Sequence, residues 1–280
     1  MKKRLYISIL STIFVLGLSI HSNAQGIKFR DFWRNTLRNE KFSITGNLGL
    51  STYFGDVCTG TDCMQFRPNL GIGAIYRFHD NFSVKTDLNY FRLYSDDTWE
   101  RRNLGFRSDN LEVYSSLMYD IFPWERQFRR RHRISPYLFA GIGVAFYNPQ
   151  AQLDGRWHNL RPMETEGVRY GIATPIIPFG GGVRYVHSKS LEFMLEAGYR
   201  ITFTDYLDDV SGTRFRDPSE IQDRTARSLS NRATIDNFRG QRGNPDRNDG
   251  YFLLQAKVRY TFVRNLSHYS TRPPGLRRKL

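Results

Sequence analysis

Apolar and polar residues alternate along eight segments of this chain, and this alternation is its dominant pattern. In the last segment, residues 252–262, every second side chain is apolar, and from Gln255 onward those between are polar or charged. Successive side chains of a β-strand point to opposite faces, so each segment is predicted to be a strand with one apolar face. We therefore expect an all-β fold: an eight-stranded antiparallel up-and-down transmembrane β-barrel, with lipid outside and a polar lumen.

The predicted strands are separated by connections that alternate between short and long. The strands cover approximately residues 42–53, 66–78, 82–90, 107–122, 134–148, 176–187, 191–203 and 251–262. Three residues follow the second and the sixth strands, and residues 123–133 follow the fourth, whereas the loops at 149–175 and 204–250 are much longer. Outer-membrane barrels have short periplasmic turns and long external loops, so both termini are predicted to be periplasmic.

The N-terminus has the features of a cleavable export signal. A basic start at residues 1–4 precedes an apolar stretch at 5–20, and small residues lead to a predicted cleavage after Ala24. The rest of the sequence has no run of about 20 apolar residues, which a transmembrane helix needs. Because a closed barrel is the other structure that satisfies its own backbone in lipid, we expect the chain in the outer membrane.

The mature chain is predicted to be one barrel domain with a short segment on each side. The signal peptide covers residues 1–24, the barrel covers 42–262, and the segments 25–41 and 263–280 are predicted to be periplasmic. Phe29, Phe32, Trp33 and Leu37 recur at helical spacing, so residues 28–39 are a candidate for a short amphipathic helix. Such a helix would lie on the membrane surface or pack against a partner protein.

Charged residues of both signs fall on the predicted lumenal face. They are Arg77, Lys85, Asp87, Glu112, Arg184, Glu192, Glu196, Arg200, Lys257 and Arg259. Eight strands enclose a space that side chains alone can fill, and buried charges persist only when they are paired. We therefore expect an interior closed by salt bridges and not a porin-like channel.

Two cysteines, Cys58 and Cys63, lie in the first predicted external loop. In an exported protein, a local disulfide between them is the expected state. No histidine lies near them in the sequence, which argues against a metal site. We expect neither a metal nor a cofactor in this chain.

An acidic motif at residues 204–211 follows the seventh predicted strand and contains Asp205, Asp208 and Asp209. The favoured interpretation is that these side chains bond to backbone groups and anchor the long loop. Two alternatives remain open: a catalytic pair that activates water together with His158, and a calcium site formed by the three carboxylates. We expect no catalytic residues and no enzymatic activity.

Basic residues cluster in three segments that are all predicted to be periplasmic. The net charge is +14, or +11 after removal of the signal peptide. The resulting positive face would either meet phosphates of the inner leaflet or dock an acidic periplasmic protein. Outer-membrane lipids are expected partners, and nucleic acid is not. The predicted docking residues are Arg30, Arg34, Arg38, Arg126, Arg129, Arg130, Arg131, Arg133, Arg277 and Arg278.

Four short motifs carry a resemblance to a known family. They are residues 53–56 (YFGD), 136–143 (PYLFAGIG), 165–167 (TEG) and 204–211 (TDYLDDVS). With these motifs the chain resembles, over most of residues 42–262, the PorG-type outer-membrane barrels of the type IX secretion system of Bacteroidota. That system exports adhesins, proteases and gliding proteins.

The resemblance implies a non-enzymatic component that ties the periplasmic ring of the secretion system to the outer membrane. The implied partners are the ring lipoprotein, which is PorK-like, and its PorN-like ring partner. The expected function is therefore to anchor or position this ring through the basic face. The alternatives are a surface adhesin that binds through its external loops, and a lipid-modifying barrel enzyme that uses Asp208, Asp209 and His158.

Overall fold

Ten β-strands and one short α-helix form in the described part of the chain. The computed structural model describes residues 40–58, 63–97, 103–125, 127–212, 214–232 and 242–263. The predicted signal peptide, the candidate helix at 28–39 and the basic tail beyond Val263 lie outside the described residues.

Eight of the strands form a closed barrel in which each strand pairs antiparallel with its neighbours along the chain. The barrel strands are β1 (Phe42–Phe54), β2 (Arg67–Arg77), β3 (Phe82–Asp96), β4 (Gly105–Asp120), β5 (Ile134–Phe146), β8 (Ala173–Val186), β9 (Leu191–Thr202) and β10 (Gly250–Thr261). Pairing of β10 with β1, from Ser43 opposite Thr261 to Phe54 opposite Gly250, closes the barrel. The predicted fold class is confirmed.

The side chains are distributed in the opposite way to a soluble protein. Large apolar residues lie on the outside, where Leu48 is 69% exposed and Ile142 is 74% exposed. Charged residues such as Lys85 and Arg259 are fully buried inside. Lipid on the outside removes the cost of this apolar surface, so the barrel is built to span a membrane. Among the described residues, no helix has the length and apolar character needed to cross one.

The middle of the lumen is filled by two lysines and two carboxylates. Lys257 Nζ lies 3.0 Å from Asp87 Oδ2 and 2.9 Å from Glu196 Oε1. Lys85 Nζ lies 2.6 Å from Glu196 Oε2 and 3.5 Å from Asp87 Oδ2. These residues come from β3, β9 and β10, so the charges link opposite walls of the barrel.

Further ion pairs lie above and below this layer. They are Arg184 with Asp120 at 2.9 Å, Arg259 with Glu192 at 3.2 Å, Arg77 with Asp120 at 3.6 Å, and Arg200 with Glu112 at 3.2 Å. Every charged residue that the sequence assigned to the lumen is buried and lies in such a pair. The predicted salt-bridged interior is therefore confirmed.

The loop predicted at residues 149–175 contains a β-hairpin that the alternation pattern did not predict. Strands β6 (Pro149–Leu153) and β7 (Arg156–Asn159) pair with each other, and β6 also pairs with β4. The turn between them has positive φ at both Asp154 and Gly155, 50° and 77°. Asp-Gly is the sequence signal for this type of turn. A short helix, α1 (Arg224–Ser230), also forms inside the long loop predicted at 204–250.

Candidate functional site

The two ends of the barrel differ in their connections. We define the turn end as the end that holds residues 78–81, 121–125, 127–133 and 187–190. The loop end is the opposite end, which holds the β6–β7 hairpin and residues 203–212, 214–232 and 242–249. Since the lumen between them is filled, the candidate sites lie at these two ends.

At the turn end, Trp124 covers the lumen. Its indole is stacked between two guanidinium groups: Arg77 lies 3.7 Å and Arg131 lies 3.6 Å from the ring centroid. The backbone N–H of Trp124 donates to the carbonyl of Asp80 at 2.9 Å, which ties the connection 121–133 to the neighbouring turn. Stacked cation–π pairs of this kind contribute about 1–2 kcal/mol each when they are shielded from water.

The predicted docking arginines of this connection separate into two groups. Arg129, Arg130 and Arg133 are exposed. Arg131 is only 8% exposed, and its Nε donates to the carbonyl of Glu125 at 2.7 Å. Arg131 therefore belongs to the cover of the lumen and does not present its charge at the surface. Arg30, Arg34, Arg38, Arg126, Arg277 and Arg278 lie outside the described residues.

At the loop end, residues 204–211 fold into the mouth of the barrel. Leu207 and Val210 are buried in one apolar cluster with Val57 and with both cysteines. Cys58 and Cys63 form the predicted disulfide, with an S–S distance of 2.09 Å. This cluster, here called the loop-end plug, closes the barrel opposite to Trp124.

Polar contacts attach the plug to the barrel through Tyr53 at the end of β1. Its hydroxyl lies 2.6 Å from Asp208 Oδ2 and 2.6 Å from Asp249 Oδ1. A phenol donates one proton, so the second of these contacts needs a proton on one of the two carboxyl groups. Burial raises the pKa of Asp208 and of Asp249 well above the ordinary range, in agreement with a shared proton.

The other two aspartates of the motif occupy different surroundings. Asp209 accepts hydrogen bonds from Thr165 Oγ1 at 2.5 Å and from the Tyr170 hydroxyl at 2.5 Å, and burial raises its pKa to about 6. Asp205 is 7% exposed, and the hydroxyl of Ser211 is its neighbour. Burial raises the pKa of Asp205 to about 7. The favoured prediction, that the motif anchors the loop, agrees with the contacts of Asp208 and Asp209.

Glu166 and Arg242 hold the plug through hydrogen bonds to its backbone. Arg242 Nε donates to Glu166 Oε1 at 2.7 Å, and the same carboxylate accepts from the backbone N–H groups of Ser211 and Gly212 at 3.1 and 2.9 Å. Three of the motifs that carry the family resemblance, at residues 53–56, 165–167 and 204–211, therefore converge here. Sequence reasoning missed the partners Arg242 and Asp249, which stand in a loop without any periodic pattern.

The residues considered for catalysis lie in two parts of the loop end. Asp208 and Asp209 are 1% and 2% exposed, and His158 lies on β7, opposite Ala151 of β6. Within the described ranges, no group of three or more His, Cys, Asp or Glu side chains is placed to hold a metal ion.

Comparisons with known proteins give one family and several similar structures. A family model described as DUF6089, a domain of unknown function, matches residues 37–270. No curated protein matches the chain. Among solved structures, Neisserial surface protein A is 12% identical, with a TM-score of 0.41, covering 79% of this chain and 97% of that one. The outer-membrane protein OprG from Pseudomonas aeruginosa is 11% identical, with a TM-score of 0.41, covering 81% and 99%. The N-terminal β-barrel domain of Pseudomonas aeruginosa OprF is 9% identical, with a TM-score of 0.38, covering 80% and 98%.

Proposed function

We propose that this chain, which belongs to the DUF6089 family, is a sealed, non-enzymatic outer-membrane barrel that anchors a periplasmic protein assembly through its turn end. The observation that carries the proposal is the display of Arg129, Arg130 and Arg133 beside the Trp124 cover. In this proposal the turn end faces the periplasm and the loop end faces the cell exterior, as expected for the end with the short connections.

The filled lumen supports a structural role over a transport role. Ion pairs link opposite walls at the middle of the barrel, Trp124 covers one end, and the loop-end plug fills the other. A solute that crossed this barrel would have to separate buried ion pairs, at a cost of several kcal/mol for each. A partner protein that binds at one end of the barrel leaves these ion pairs intact.

The construction of the turn end supports docking. The connection 121–133 is held at Trp124 by two stacked arginines and by a backbone hydrogen bond, so the exposed arginines stand on a fixed base. Lys189 in the neighbouring connection is also exposed and adds to the positive surface. Fixed positive charges attract an acidic protein and orient it during encounter.

For the partner, we propose the acidic surface of a periplasmic ring. The resemblance to PorG-type barrels implies a PorK-like lipoprotein and its PorN-like partner, and the chain would thereby serve type IX protein secretion and gliding. The burial of Asp208 and Asp209 supports a non-enzymatic role, because a substrate could not reach these carboxyl groups without displacing the plug.

The test is affinity purification of the tagged, full-length protein from gently solubilised outer membranes of its host. The variant is Arg129→Glu with Arg130→Glu, which leaves the buried Arg131 and its stacking on Trp124 intact. The matched control is Arg156→Glu with Arg224→Glu, which makes the same charge change at two exposed arginines of the loop end. Heat-modifiable migration in electrophoresis shows that each variant forms the barrel.

We expect the ring proteins to co-purify with the wild type and with the control, and to be lost from the turn-end variant. The association should also weaken as salt rises from about 0.05 to 0.5 M, because screening shortens the reach of surface charges. Equal recovery of ring proteins from both variants would show that the turn-end arginines are not the docking surface. Absence of any periplasmic protein from the wild type would refute the anchoring function.

A further inference from the structure

A small sheet extends from the barrel at the loop end. The last residues of β3 pair with the first residues of β4, and β4 pairs in turn with β6, where Arg107 stands opposite Gln150. Strand β7 completes the sheet, with Trp157 opposite Gln152. Two rings lie together on this sheet: the centroids of Tyr94 and Trp157 are 6.5 Å apart at an angle of 69°.

Both rings are held in position by arginines. Arg67 lies 4.2 Å from the centroid of Tyr94, and Arg107 lies 4.1 Å from the centroid of Trp157. The Tyr94 hydroxyl also donates to Asp96 Oδ2 at 2.7 Å. Rings that are fixed in this way lose little conformational freedom when a ligand packs against them.

A cleft of about 380 Å³ opens beside these rings. Its volume falls within the roughly 300–1,000 Å³ that is typical of small-molecule sites. Gly105 contributes to the cleft by its lack of a side chain, because a Cβ there would stand 2.6 Å from Asp96 Oδ1. Arg232 reaches into the same region, where its Nη2 donates to the carbonyl of Gly105 at 2.7 Å.

The polar groups of the cleft include both hydrogen-bond donors and acceptors. Asp96 and Asp154 present carboxylates, Arg232 presents a guanidinium, and Gln152 presents an amide that both donates and accepts. A phosphate would meet two carboxylates, and an amine would meet a guanidinium. A hydroxyl both donates and accepts, so a ligand with many hydroxyl groups can satisfy all of these neighbours.

We propose that this cleft binds a sugar unit, with Trp157 and Tyr94 against the C–H face of the ring and Asp96, Asp154, Gln152 and Arg232 bonded to its hydroxyl groups. A pyranose ring matches the site because one molecule presents both an apolar C–H face and a polar edge. The inference is independent of the turn-end docking proposal, since it concerns the opposite end of the barrel. It assigns the loop end a glycan-binding activity.

The experiment uses the full chain in micelles of lauryldimethylamine oxide, because detergents with sugar head groups would compete for the site. The probes are the methyl glycosides of glucose, galactose, mannose and N-acetylglucosamine. Saturation-transfer difference NMR measures contact with each probe, and titration gives its dissociation constant. We expect transfer to the ring C–H protons of at least one glycoside.

Two variants and one control test the location. Trp157→Ala removes the aromatic wall and should weaken binding about tenfold or more. Gly105→Val introduces a residue suited to a strand and fills the cleft, so it should abolish binding. The backbone leaves room for the new side chain, because the nearest backbone atom lies 3.5 Å from the added Cβ. Arg156→Ala changes a neighbouring exposed residue of the hairpin and should bind as the wild type does.

Two results would overturn the proposal. Absence of transfer to all four glycosides in the folded wild type would show that the cleft does not bind sugars. Unchanged binding in Gly105→Val would show that any sugar contact lies elsewhere on the protein. Because Gly105→Val leaves Trp157 and its stacked arginine in place, a folding defect of the tryptophan variant does not affect this second result.

Discussion

Replacing Lys257 with methionine tests whether the charges in the middle of the lumen hold the barrel together. Lys257 Nζ contacts one oxygen of Asp87 and one of Glu196, at 3.0 and 2.9 Å, and all three side chains are buried. The variant Lys257→Met removes the charge and keeps an unbranched side chain that is one atom shorter. Asp87 and Glu196 then share only Lys85, which leaves one uncompensated negative charge inside the barrel.

The expected cost follows from these distances. At about 3 Å and an effective dielectric constant of about 20, each lost pair had an attraction of about 5–6 kcal/mol. Part of that attraction was offset by the cost of removing the lysine from water, which is several kcal/mol. The net expectation is a loss of about 3–5 kcal/mol of unfolding free energy, which is typical for breaking one side of a buried pair.

A second variant separates the charge imbalance from the loss of packing. Combining Lys257→Met with Glu196→Gln restores neutrality, and the amide oxygen of Gln can still accept from Lys85. We expect this double variant to recover to within about 1–2 kcal/mol of the wild type.

The assay is urea unfolding of the barrel in phospholipid vesicles, followed by heat-modifiable migration and analysed by linear extrapolation. A cost below about 1 kcal/mol for Lys257→Met would show that water reaches this layer and screens the charges. A double variant less stable than the single variant would refute charge imbalance as the cause.

Three further predictions concern the ends of the barrel. Tyr53→Phe leaves Asp208 and Asp249 without their shared hydroxyl and should destabilise the loop-end plug by about 1–3 kcal/mol, measured as faster hydrogen exchange at Val210. Arg131→Ala should cost about 1–2 kcal/mol in urea unfolding through its lost stacking on Trp124, whereas Arg129→Ala should change stability by less than about 0.5 kcal/mol. Burial raises the pKa of Asp205 to about 7 and of Asp209 to about 6, against about 4 in the unfolded chain. The folded state therefore holds protons that the unfolded state releases, so the stability of the plug should fall as pH rises from about 4 to about 7. Proteolysis of the 204–232 region should accordingly be faster at pH 8 than at pH 5. Slower proteolysis at pH 8 would contradict the prediction.

The strands and their faces could be predicted from the sequence because the signal is local. Alternation with a period of two is enough to place a residue such as Lys257 inside and Val258 outside. The disulfide was predictable for a similar reason, since Cys58 and Cys63 are close along the chain and have no competing cysteine. The β6–β7 hairpin was missed although Asp154-Gly155 is a strong turn signal, because its two strands are too short to show alternation clearly.

Contacts between loops could not be predicted, because they depend on how distant segments pack. Arg129, Arg130 and Arg131 are three identical residues in a row, and only the position of Trp124 separates the buried one from the exposed two. Asp249 contacts Tyr53 across 196 positions of the chain, and the sequence around neither residue predicts that contact.

The burial of the disulfide has a consequence for the order of events during biogenesis. Cys58 and Cys63 are 2% and 6% exposed, and they lie in the same apolar cluster as Leu207 and Val210. Thiol–disulfide exchange requires the attacking sulfur to reach its target, and the packed plug shields both sulfurs. We therefore expect the bond to form before residues 204–211 enter the mouth of the barrel. A chain that packs while still reduced would retain two shielded thiols. The redox state of Cys58 and Cys63 in a mature molecule would therefore show whether oxidation preceded packing.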